Sequence, residues 1–397
     1  MSAYLIFRIT VCKVISTQRI RRKYEMAALS DELKIGSMRL RNRIALPPLT
    51  TNCADKDGKV TESILRFYGD RSKHLGLVIV EATAVRADGR IVPGSLGLWD
   101  DGQVDGMSRL AAAIREKGAV PVVQLNHAGA RCTPRGGEMQ GASPSGVRFR
   151  PDVDPFAMSI AQIEEVAVSF AEAAGRAVAA GFEGVEIHGA HFYLISQFLS
   201  PLTNTRNDRY GGDARARATS ALEVLQKVRR KVGSKPALLF RINAVENVEG
   251  GQTLEDAVTA GRLLAENGAD CIHVSLVTGA SWKEENGKRF LVAASALPKN
   301  APAGANVSLA AKMRKETGLP VISVGKLGEG SAAADAVADG SVDMVAIGRQ
   351  MIADPDAAGK LLAGEVEDII ACKQCMNCFA SLGKGPVTCK VNEEMGK

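Results

Sequence analysis

Short apolar runs rich in Val, Ile and Leu alternate with amphipathic, alanine-rich stretches from about residue 43 onward. The runs predict strands at 43–46, 77–81, 120–125, 184–188, 237–242, 271–275, 320–324 and 343–347. Apolar positions recurring every three or four residues predict helices at about 61–74, 103–117, 160–180, 213–232, 253–267, 305–317, 329–339 and 355–363. The strands are apolar throughout rather than at alternate positions, so both faces are expected to be covered, as in a parallel sheet under helices. Eight evenly spaced strand–helix units predict an α/β chain closed into a (β/α)8 TIM barrel, in preference to an open doubly wound sheet. Residues 30–365 would form the barrel, 366–397 a short cysteine-rich segment, and 1–29 an N-terminal extension outside the fold. The longest aperiodic insertion, 131–157, follows strand three, is rich in Pro, Gly and Ser, and reads as a loop over the barrel mouth.

Charge changes this picture little. The net charge is +6, but six basic residues among the first 25 oppose Glu25 alone. The body is therefore nearly neutral, and no nucleic-acid surface is expected. No apolar run reaches the ~18 residues of a membrane span, which points to a cytoplasmic protein. The basic leader reads either as a targeting peptide or as an over-extended start with Met26 the initiator, the second being preferred.

Chemistry concentrates where barrel strands end, the face that carries the active site in this architecture. Gly325 and Gly348 follow strands seven and eight, and Arg349 adds a planar fork, together predicting a phosphate pocket. His188, His191 and Tyr193 leave strand four. Two imidazoles there could hold a substrate oxygen while the phenol supplies a proton, a reading preferred to a metal pair because no acidic residue follows closely. Among eight cysteines, Cys372, Cys375, Cys378 and Cys389 cluster near the C-terminus. Thiolates so spaced can ligate a [4Fe–4S] cluster, with structural zinc as the rival.

The block from Ile187-His188-Gly189-Ala190-His191-Phe192-Tyr193-Leu194 to Arg206-Asn207-Asp208-Arg209-Tyr210-Gly211-Gly212 resembles the signature of the Old Yellow Enzyme family of NAD(P)H:flavin oxidoreductases. Leu40-Arg41-Asn42-Arg43-Ile44, Gln124-Leu125-Asn126-His127-Ala128-Gly129 and Ile347-Gly348-Arg349 resemble it too, so the likeness spans about residues 33–355. It implies bound FMN, with Pro48, Thr50, Ala82, Gln124 and Arg241 against the isoalloxazine ring and Gly325, Gly348 and Arg349 at the phosphate. It implies NAD(P)H as a transient reductant. The substrate would be a small molecule with an activated C=C bond (enone, enoate or dienoyl thioester), its carbonyl gripped by His188 and His191 and its α-carbon protonated by Tyr193. The cysteine segment is similar to the cluster loop of the trimethylamine dehydrogenase and 2,4-dienoyl-CoA reductase branch. Those proteins continue into a nucleotide-binding module, whereas this sequence stops at Lys397. Electrons are then expected either from a separate carrier or subunit through the cluster, or directly from NAD(P)H, in a monomer or a homo-oligomer.

Two other classes stay open at this point. An amine dehydrogenase or demethylase would need an aromatic cage, for which Tyr68, Trp99, Phe149, Phe192 and Trp282 are the candidates. A pure electron-transfer module would leave the His/His/Tyr trio unexplained. Trp282 and Lys283, after strand six, are expected to shape the substrate pocket.

Overall fold

The computed structural model describes residues 26–132, 141–382 and 384–395; the leader with Cys12, and residues 133–140 of the long insertion, lie outside the described residues. Eight parallel strands close into a barrel: Ile44–Leu46, Leu77–Ala84, Val120–Asn126, Gly184–Gly189, Ala237–Glu246, Cys271–Val277, Val321–Val324 and Met344–Ala346. They are called strands one to eight below. Each expected strand is present, and the ring is completed by strand eight pairing with strand one, Val345 opposite Ile44.

Both strand faces are buried, as the continuous apolar runs require. Ala45, Leu77, Ile79, Val122, Leu239, Ile322 and Met344 point one way into a compact cluster with Ile35, Met38 and Leu40. Those last three come from a hairpin the periodicity did not predict, Leu33–Ile35 against Met38–Leu40, which plugs the barrel on the side opposite the strand C-termini. The alternate residues Ile44, Val78, Val80, Val123, Val185 and Leu238 join the larger cluster under the helices. Burial of each such aliphatic side chain contributes roughly 1.5–3 kcal/mol.

The helices fall where their apolar spacing put them. The longest, Ile160–Ala179, starts at a capping box in which the Ser159 hydroxyl accepts from Gln162 N and the Gln162 side chain bonds back. The expected helix 213–232 is divided at Ala218 into Ala214–Arg217 and Thr219–Val232. Here the buried Arg217 reaches the carbonyls of Leu199 and Gly212 and pairs with Asp256.

A second ribbon, Gly279–Glu285 against Lys288–Ala294, is inserted after strand six. It turns at Asn286 (φ 50°) and Gly287 (φ 70°), the left-handed pair that a two-residue hairpin demands. The described part of the long insertion folds under it. Ala142–Ser143 pairs with Phe156–Ala157, and Leu291 N donates to Arg148 O at 2.8 Å. Among the described residues no helix is long and apolar enough to cross a membrane.

Candidate functional site

A cavity of about 490 Å³ opens at the C-terminal ends of the strands. Every residue predicted to bind the ring, the phosphate or the substrate lines it: Pro48, Thr50, Ala82, Gln124, His188, His191, Tyr193, Arg241, Gly325, Gly348 and Arg349.

Its floor is a polar layer across three strands. Gln124 Nε2 donates to Glu186 Oε1 at 2.7 Å, and the other Glu186 oxygen lies 2.7 Å from His273 Nδ1. Both Glu186 and His273 are fully buried. The carboxylate thus fixes the Gln124 amide and leaves its oxygen for a partner in the cavity. Arg241 lies in register with His188 on one side and His273 on the other. It is buried, which pulls its pKa down, and its Nε has no partner among the described residues. A buried guanidinium so placed asks for an acceptor in the cavity.

The two imidazoles meet: His188 Nε2 is 3.2 Å from His191 Nδ1, and His191 Nε2 is 2.7 Å from Ser275 Oγ. The Tyr193 ring lies against His188 at 4.9 Å between centroids. Burial first, and then the Arg241 charge, hold both histidines well below the usual imidazole pKa, so they are neutral. His191 and Phe192 both adopt left-handed backbone, φ 62° and 55°, conformations that cost of the order of 1–3 kcal/mol each for such residues. Two buried side chains hold them there. His191 N donates to Asn243 Oδ1 at 3.1 Å, Phe192 N donates to Ser196 Oγ at 3.1 Å, and Asn243 Nδ2 donates to the same hydroxyl at 3.2 Å.

At the other end, Gly325 has φ 148°, and a Cβ there would stand 3.0 Å from Asn306 Nδ2. A Cβ on Gly348 would meet Pro47 Cγ at 3.2 Å. Both positions keep backbone bare beside Arg349. The helix that starts at Arg349 runs only to Ala353, too short for an appreciable dipole, so the donors offered to an anion here are the backbone amides and the guanidinium. A planar heterocycle with an anionic tail fits this distribution of donors, acceptors and space.

Ser275 and Asn243 were not singled out from the sequence, although the rule that picked His188, a polar residue at a strand end, applies to both. Arg131, Asn306 and Leu297 also line the cavity or its wall. Trp282 and Lys283 do not. They sit on the outer strand of the ribbon, Trp282 exposed beneath the Arg289 guanidinium, and Ala293 to Leu297 wall the cavity instead. The expectation for that pair is therefore corrected: the ribbon turns their side chains to solvent. None of Tyr68, Trp99, Phe149, Phe192 and Trp282 lines the cavity. Tyr68 is in the core, its hydroxyl accepting from Glu81 N, and Phe149 packs on Phe192 at 5.5 Å.

The cysteine segment lies across the mouth. Cys372, Cys375, Cys378 and Cys389 line one small cavity, and it shares Arg349, Ile352, Cys372, Gln374, Met376 and Cys378 with the main one. Gln374 N donates to Cys372 Sγ and Val391 N to Cys389 Sγ, each at 3.4 Å. As they stand, no three His, Cys, Asp or Glu side chains among the described residues are arranged to hold a single metal ion. The segment is fastened to the barrel by Val387 N to Thr51 O at 2.8 Å, and by Asn52 Nδ2 to Leu382 O at 3.0 Å and Gly385 O at 2.7 Å.

A profile of the NADH:flavin oxidoreductase / NADH oxidase family matches residues 29–367. An NADH oxidase of Thermoanaerobacter brockii is 37% identical over 353 residues, covering 87% of this chain and 52% of its own length. The chain thus spans about half of that relative. An NADPH dehydrogenase of Bacillus subtilis is 35% identical over 332 residues, 82% of this chain and 92% of its own. Among solved structures, a 2-naphthoyl-CoA reductase complex superposes with a TM-score of 0.84 at 26% identity, covering 92% of this chain and 57% of that one.

Proposed function

The chain belongs to the NADH:flavin oxidoreductase / NADH oxidase family, the Old Yellow Enzyme family to which its motifs point, and from that membership we propose an FMN-dependent oxidoreductase that reduces an activated C=C bond. The reading rests chiefly on one observation: His188, His191 and Tyr193 converge on the cavity that Arg241 also lines, a buried guanidinium whose Nε has no partner among the described residues. Pro48, Thr50, Ala82, Gln124 and Arg241 would hold the isoalloxazine, and Gly325, Gly348 and Arg349 the phosphate. When bound, FMN supplies hydride transfer, from NAD(P)H and on to the β-carbon of the substrate.

The residues then divide the remaining work. Negative charge growing on the substrate oxygen is met by imidazole N–H groups of the neutral His188 and His191, donors that gain most in the transition state. The two rings bond each other as they stand, one donating and one accepting. An arriving oxygen thus takes over the donated N–H and the accepting ring changes tautomer to supply the second, a change the Ser275 hydroxyl at His191 Nε2 accommodates as donor or acceptor. Ser275 keeps the His191 ring oriented meanwhile. Tyr193 gives its phenolic proton to the α-carbon, and hydride at the β-carbon completes the saturated product.

The four cysteines would carry a [4Fe–4S] cluster. Three closely spaced thiols with a fourth further along suit a cubane, the rival being a tetrahedral zinc ion, and backbone N–H groups already serve two of the sulfurs. Shared walls between the small cavity and the main one would let a carrier protein replace NAD(P)H as electron source. An amine substrate is disfavoured, since none of Tyr68, Trp99, Phe149, Phe192 and Trp282 lines the cavity, and Tyr193, which does, already lies beside the Arg131 guanidinium.

Anaerobic purification with an absorption spectrum and iron and sulfide analysis tests both cofactors. The expected result is a flavin spectrum with about four iron and four sulfide per chain. His188→Ala should keep FMN yet reduce 2-cyclohexenone about 100-fold more slowly, the usual loss for one such donor. A colourless protein that does not take up FMN, or a variant as fast as its parent, would overturn the proposal.

A further inference from the structure

Four cations line the cavity, Arg131, Arg241, Lys326 and Arg349, against one carboxylate, Glu329. Lys326 and Glu329 satisfy each other at 3.4 Å, and the lysine also donates to Lys299 O and Ala301 O. Arg241 and Arg349 belong to the floor and the phosphate end. Arg131 remains, at the end where His188, His191 and Tyr193 stand.

Its geometry is that of a fixed cation. Arg131 Nη1 donates to His191 O at 2.6 Å, and its guanidinium carbon lies 5.3 Å from the Tyr193 ring centroid and 5.8 Å from that of Phe149. These contacts pin the guanidinium plane while leaving Nε and Nη2 without a partner among the described residues. No carboxylate among the described residues pairs with it. Its field reaches the histidines, whose basicity it lowers. A partly desolvated guanidinium with an unused edge matches a carboxylate in two-point contact.

We propose that Arg131 selects substrates bearing a carboxylate, so that the cavity takes an unsaturated acid in preference to the neutral molecule of the same shape. This rests on the ene-reductase reading and narrows it. The charge also has a chemical use. A carboxylate conjugated to the double bond already carries negative charge and resists taking up hydride; a fixed cation beside it offsets that charge as it grows.

The test is equilibrium binding of trans-cinnamate and its neutral isostere cinnamamide to the FMN-loaded full chain by calorimetry, which needs no turnover. The parent is expected to bind the acid at least ten-fold more tightly than the amide. In Arg131→Gln that ratio should fall to near one, and in Arg131→Lys it should be intermediate, since charge survives without the fork. A parent that binds both probes equally, or a ratio unchanged in the Gln variant, would overturn the proposal. Loss of both probes in both variants would also overturn it, making Arg131 a prop for the His191 backbone. Turnover of 2-cyclohexenone by the parent is measured alongside, so that failure of the ene-reductase reading is seen separately from failure of carboxylate selection.

Discussion

Behind His191 runs a buried chain of polar side chains that ends in an acid. Glu246 Oε2 accepts from Ser200 Oγ at 2.6 Å and Gln252 N at 3.0 Å; Gln252 Nε2 donates to Asn243 O at 2.6 Å, and Asn243 holds the His191 amide. Burial raises the Glu246 pKa to about 7, its hydrogen bonds opposing the rise only in part. The native state therefore keeps a proton that the unfolded chain releases near pH 4.5. Stability from this group is whole below that pH and is lost as pH rises towards 7, by up to about 3 kcal/mol. The buried neutral histidines act with the opposite sign, because the unfolded chain gains their protons as pH falls. A difference measurement isolates the acid. Melting curves of Glu246→Gln against the parent should separate in favour of the variant from pH 5 to 7 and run parallel above it. Curves parallel throughout would mean that Glu246 is ionised in the native protein at pH 5.

At this scale the sequence was informative where a residue's role follows from its place at a strand end, as for His188, Arg241 and Gly348. The same rule reaches Asn243 and Ser275 as candidates but not their partners, and it does not reach Arg131, which lies in the insertion after strand three. What each of these side chains holds depends on which other strand or turn stands beside it, a relation that no local spacing encodes.

The turn after strand four is the element on which the candidate chemistry depends, and it is stabilised from outside itself. Two successive left-handed residues without glycine form because Asn243 of strand five and Ser196 of the following helix receive their amides. Asn243→Ala leaves the His191 N–H buried and unpaired, at about 1–3 kcal/mol. Urea denaturation should show that loss, and KM for 2-cyclohexenone should rise as the imidazole drifts. The barrel strands themselves were legible because burial on both faces writes an uninterrupted apolar run. The ribbon after strand six was not, since its outer face, Trp282 to Glu285, is exposed and so lacks a strand's apolar signature. Its Asn286-Gly287 pair, flanked by Lys283 to Glu285 and Lys288 to Phe290, was the signal that could have disclosed it.

Across the whole molecule, the cysteine segment is a wall of the cavity as well as the carrier of four thiols. Met376, Cys378, Phe379, Leu382 and Val387 all line the main cavity. Ending the chain at residue 365 should weaken FMN binding at least ten-fold, read by quenching of flavin fluorescence on titration. Unchanged affinity would show that the barrel alone forms the site. The sequence disclosed the four thiols by their spacing but not this second role, because apolar residues spaced through an aperiodic tail carry no signature of what they cover.

The fastening of that segment also orders events in time. Asn52 and Leu382, hydrogen-bonded in the finished protein, are 330 residues apart along the chain. At roughly 5–20 residues per second of synthesis, the loop after strand one is complete on the order of half a minute before its far partner is made. Through that interval the nascent barrel has an unwalled mouth, and tight loading of any prosthetic group must await synthesis of the later segment.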